Sequence, residues 1–132
     1  MVNVFIQSCQ PTIRRLLRNY EGYWYRYRLL LTITCLTAIA DFISTVHFMH
    51  HDGIHHEIHP GIRLAAQELG PVVGVMLGKL AQLAALVLVT LYLRHIARLL
   101  FITAAIMYGW AAWYNLTGYK LYSPLLLEWL PL

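Results

Sequence analysis

LLLTITCLTAIADFISTVHFM, residues 29–49, decides the fold of this 132-residue chain. Asp41 is its only acidic residue, and it holds no lysine or arginine. As a helix rising 1.5 Å per residue, such a stretch matches a hydrocarbon core of about 30 Å. The whole chain is 59% hydrophobic and only 12% charged, with a mean hydropathy of +0.56. A soluble domain of this size has too high a surface-to-volume ratio to hide that much apolar side chain. Residues 71–93 and 99–116 have the same character. In lipid an open strand edge would leave backbone groups without partners, so these segments must be helices. The expectation is an all-α integral membrane protein with three transmembrane helices over 29–49, 71–93 and 99–116.

Outward from the first span, charge and aromatic residues mark the interfaces. Residues 1–28 form an N-terminal amphipathic segment in which Arg14, Arg15, Arg18, Arg26 and Arg28 alternate with Tyr20, Tyr23, Trp24, Tyr25 and Tyr27. Aromatic rings favour the headgroup level and arginines snorkel beside them, so an interfacial helix is expected, with Glu21-Gly22 as its breaking point. Arg94 and Arg98 fill the link between spans two and three, whereas the opposite side carries only Arg63 and Lys120. This asymmetry predicts a cytoplasmic N-terminus, with the C-terminus and the histidine-rich connection periplasmic in a bacterial inner membrane. Nucleic acid is excluded as a partner, because the arginines flank a span and do not cover a soluble face. Membrane lipids, other membrane subunits or a second copy remain.

Beyond the spans, MVNVFIQSCQP (residues 1–11) lacks the basic start and apolar stretch of a cleavable signal. Cys9 and Cys35 read as free thiols. Residues 61–69 make a short amphipathic piece before Gly70-Pro71 opens span two. Residues 117–132 are too short and too proline-punctuated to span, and read as an interfacial tail.

Polar residues within the spans share a depth. Asp41 lies about eight residues before the end of span one, and Lys79 about eight after the start of span two, roughly 12 Å below the same boundary. A lone charge there costs at least ~2.5–3.5 kcal/mol, so pairing is the natural solution. Thr45 lies one turn from Asp41, Gln82 is on the face of Lys79, and Asn115 returns to that side at the end of span three. An intramembrane polar core of Asp41, Thr45, Lys79, Gln82 and Asn115 follows, either as a structural lock or as a site for a proton, ion or substrate. Gly70, Gly74 and Gly78 recur every fourth residue, a small-residue face for close helix packing within the chain or against another.

Asp41 and Thr45, then Glu57-Ile58-His59-Pro60, then Gly70 and Lys79 resemble an uncharacterised family of small bacterial and archaeal integral membrane proteins. Its pattern is Asp-x-x-x-Thr, Glu-x-Asn-Pro, a glycine and a lysine. His59 stands where that pattern has asparagine. The resemblance covers residues 29–93 and implies the same topology and the Asp–Lys pair, but no activity.

Six of the seven histidines fall in HFMHHDGIHHEIHP, residues 47–60. His47, His51, His55 and His59 recur at every fourth position, with Glu57 among them. Imidazoles one turn apart can share a metal, and imidazole with carboxylate suits zinc, copper or iron. The candidate metal ligands are His47, His51, His55, His59 and Glu57. Axial ligation of a haem or chlorin is a further option. The plain alternative is a polar loop at a membrane surface. Two functional classes follow: an accessory subunit of a larger membrane complex or homo-oligomer, and a metal-dependent enzyme or ion-handling protein built on Asp41, Lys79 and the histidines. The first is preferred, since neither Gly-x-Ser-x-Gly nor His-Glu-x-x-His occurs and three helices enclose little space.

Overall fold

The computed structural model describes residues 14–118, so Cys9 and the tail from residue 119 onward lie outside the described residues. The described chain is helical with no strand: α1 (residues 14–20), α2 (Tyr23–Asp52), a 3-10 turn (Ile54–His56), α3 (Pro60–Leu69), α4 (Pro71–Tyr92) and α5 (Ala97–Trp113), closed by a π-helical turn (Tyr114–Gly118). Three helices are long and apolar enough to cross a membrane: Tyr23–Asp52, Pro71–Tyr92 and Ala97–Thr117. The protein is an all-α integral membrane bundle.

The first span is longer than residues 29–49. α1 ends before Gly22, whose φ of 65° lies in the left-handed region that glycine enters at little cost. From Tyr23 the chain then runs as one helix of 30 residues, about 45 Å long, enough to cover both headgroup zones. Residues 23–28 join the span because Tyr23 and Tyr27, one turn apart, are buried against Ala97 and Phe101 of α5. Their ring centroids stand 6.5 and 6.0 Å from that of Phe101.

The inward face of α2 is a single stripe, with Tyr23, Tyr27, Thr34, Ala38, Asp41, Ser44, Thr45 and Met49 all buried. Near-heptad spacing keeps such a stripe on one side of a helix. It packs most extensively along α5 and less along α4, whereas α4 and α5 touch each other sparingly. Hydroxyl groups tie the helices where apolar packing alone is weak in lipid. The Thr34 hydroxyl reaches the carbonyl of Phe101 at 3.3 Å, and the Tyr23 hydroxyl bonds with that of Thr90. Asn19 of α1 donates to the carbonyl of Leu91 at 2.7 Å, fastening α1 to the end of α4.

Glycine shapes the α3–α4 pair. Gly70, at φ 83°, turns the chain between the helices, and a Cβ there would meet nothing within 4 Å. Its part is the turn, and the close packing belongs to the other two. A Cβ on Gly74 would stand 2.4 Å from the backbone of Ala65 and Ala66, and one on Gly78 would stand 2.8 Å from Cγ1 of Ile62. The small-residue face is thus used inside the chain, against α3. Because Gly74 meets Ala65 and Ala66 while Gly78 meets Ile62, α3 runs antiparallel to α4. The chain therefore descends after α2, and α3 starts near the level of Lys79.

Candidate functional site

The descent of the 53–60 connection builds the site. Asp41 and Thr45 of α2, Lys79 and Gln82 of α4 and Asn115 after α5 converge on a cavity of about 880 Å³. Glu57, His59 and Pro60 of the connection also line it, and Ile106, Met107, Tyr108 and Trp110 line the α5 side. Non-helical backbone at such a depth is tolerated only where it is buried in protein or lines a cavity and its polar groups find partners. Here they do: the His59 N–H donates to Oε1 of Glu57 at 2.9 Å, and the Ile62 N–H donates to Nδ1 of His59 at 3.4 Å. Pro60 occupies the first helical position, where no N–H is needed.

At the floor, Lys79 and Asp41 form an ion pair through Nζ and Oδ2, with side chains 12% and 3% exposed. Oδ1 of Asp41 accepts from the Thr45 hydroxyl at 3.2 Å, so both carboxylate oxygens are engaged. Asn115 donates to Thr45 Oγ1 at 3.0 Å and to Ser44 Oγ at 3.2 Å, which holds the π-helical turn onto α2. Tyr108 donates to Oε1 of Gln82 at 3.3 Å, and the Lys79 ammonium stands 5.1 Å from the centre of the Tyr108 ring. All five residues of the expected polar core meet in this cavity.

Around this polar floor the cavity is apolar, and it opens sideways. Ile106, Met107 and Trp110 line it yet are each 65% exposed, so the same wall is also outer surface. This exposed wall belongs to α5, which makes little contact with α4.

Comparison of the chain with protein-family models, curated proteins and solved structures finds no match. The site must be read from its own geometry.

The candidate metal ligands divide into separate groups. His47 and His51 stand side by side on one face of α2 with ring centroids 4.5 Å apart and the rings tilted at 58°, both exposed. His59 and Glu57 are engaged in capping α3, and His55 sits exposed on the 3-10 turn. Among the described residues, no three of His, Cys, Asp and Glu gather as a metal site.

Tyr108 and Trp110 are parts of the site that the polar pattern of the spans did not single out, whereas Ser44 shares the polar face of Asp41 and Thr45 by its three-and-four spacing. Tyr108 had a legible signal, since it lies eight residues before the expected end of span three, at the depth count of Asp41 and Lys79. Trp110 carried none, because an aromatic residue in a span is ordinary.

Proposed function

We propose that the protein is a small accessory subunit of the membrane whose cavity holds one amphiphilic molecule taken laterally from the bilayer. The observation that carries this reading is the closed ion pair at the floor of a sideways-opening apolar cavity. A carboxylate saturated by Lys79 and Thr45 is not poised as a base. What remains for a ligand is apolar wall plus a few oriented polar groups, above all the amides of Gln82 and Asn115, which is the usual make-up of a small-molecule site. A cavity of about 880 Å³ falls within the range of roughly 300–1,000 Å³ typical of such sites. The accessory role fits the same picture, since binding and presentation require no reacting group.

Extraction of the purified protein with organic solvent, followed by mass spectrometry, tests this reading. About one equivalent of a single amphiphile class is expected, well above its share of the bulk lipid. Ala111 lines the cavity, so Ala111→Phe should fill part of it and lower the retained amount at least about fivefold while the bundle stays folded. The same mixture of bulk lipids from both proteins would sink the proposal.

A further inference from the structure

The other end of the bundle carries a second pocket with different chemistry. It has a volume of about 380 Å³ and is lined by Arg26, Tyr27, Arg94, His95 and Arg98. Arg26 comes from the first turn of α2, Arg94 and His95 from the turn after α4, and Arg98 from the first turn of α5. Three guanidinium groups are thus brought together by three separate pieces of chain. Among the described residues the only ion pair is Asp41–Lys79, so no carboxylate answers these arginines. Nε of Arg94 is buried without a hydrogen-bond partner among the described residues. A buried donor without an acceptor is costly, and on a charged group more so.

The pocket is also held in shape. The Tyr27 hydroxyl donates to the carbonyl oxygen of Arg94 at 3.1 Å, which pins that turn to α2. Nη2 of Arg94 lies 3.9 Å from where a Cβ of Gly22 would stand, so the guanidinium packs against the α1–α2 joint. Beside the pocket, Leu29 and Leu99 are exposed, at 70% and 63%. Polar depth flanked by apolar outer surface matches a headgroup with its chains alongside.

We propose that this pocket binds a phosphate group, carried by an anionic glycerophospholipid or free in solution. Guanidinium forks match phosphate oxygens in pairs, and an acceptor placed here would satisfy Nε of Arg94. Basic pockets between transmembrane helices hold anionic headgroups by this chemistry. The site is independent of the Asp41–Lys79 cavity, which lies at the opposite end.

Native mass spectrometry of the full chain in a non-ionic detergent tests the proposal, with phosphatidylglycerol and phosphatidylcholine of matched acyl chains as probes. Phosphatidylglycerol is expected to bind about tenfold more tightly. R94Q/R98Q should abolish that preference, whereas R14Q/R18Q, which removes the same charge from α1, should keep it. Should the double variant fail to fold, Arg98→Gln alone, at an exposed position, should weaken the preference about threefold. Inorganic phosphate separates the two sources. Displacement of the lipid by an equal concentration of phosphate assigns the pocket to soluble phosphate, and no displacement assigns it to the lipid. Equal binding of the two lipids with no uptake of inorganic phosphate, or equal loss in the two double variants, would overturn the proposal.

Discussion

Lys79→Ala is expected to lower the stability of the protein in detergent more than the double change Asp41→Asn with Lys79→Gln. The alanine leaves Asp41, 3% exposed, with the Thr45 hydroxyl as its remaining side-chain partner and a charge that nothing neutralises. Breaking a buried pair from one side costs about 3–5 kcal/mol, because the orphaned charge stays buried. The double change removes both charges and keeps groups able to hydrogen bond, so its cost should be smaller by at least about 1–2 kcal/mol. Thermal unfolding of Asp41→Asn, Lys79→Gln, Lys79→Ala and the double variant gives the coupling directly. Strictly additive losses would mean that the two side chains do not depend on each other.

Gly74→Ala should be the most damaging single methyl that can be added to the bundle. Its Cβ would meet backbone atoms of Ala65 and Ala66 at 2.4 Å, and backbone cannot rotate out of the way. Either α3 moves off α4 or the variant carries the strain, at an expected ~3 kcal/mol or more, the upper part of the range for overpacking. Gly78→Ala meets a side-chain carbon of Ile62 at 2.8 Å, and another rotamer of Ile62 can relieve much of that. Its cost should be about half. Since Ile62 also walls the cavity, both variants should weaken amphiphile retention in the same order. Equal midpoints for Gly74→Ala and the unmodified chain would remove the close α3–α4 contact from the account.

Much of the fold was legible because lipid leaves few options. Once residues 29–49 are seen to suit hydrocarbon, three spanning helices follow from length and composition. The Asp41–Lys79 pair was equally legible, since two lone charges at one depth have no cheaper solution than each other. The start of α2 was not. Tyr23 and Tyr27 look like interfacial residues beside their arginines, and only the presence of Phe101 on a distant helix makes them core.

The histidine-rich stretch shows the same limit. Spacing alone suggests a ladder of ligands, but the chain descends after Gly53 and separates His47 and His51 from His59. His59 ends up capping α3 through Nδ1, a task for which asparagine is a favoured residue. The descent itself depends on Ala65, Ala66 and Ile62 finding glycines to lie against. No local window of sequence contains that pairing.

The most direct measurement is an experimental structure of the protein in a lipidic phase, read at the cavity between α2, α4 and α5. The account predicts an ordered elongated apolar molecule entering beside Ile106 and Met107. Its polar end should lie within hydrogen-bond reach of Gln82 or Asn115, above an intact Asp41–Lys79 pair. A cavity filled by the protein's own side chains, or an Asp41 and Lys79 held apart with separate partners, would contradict it.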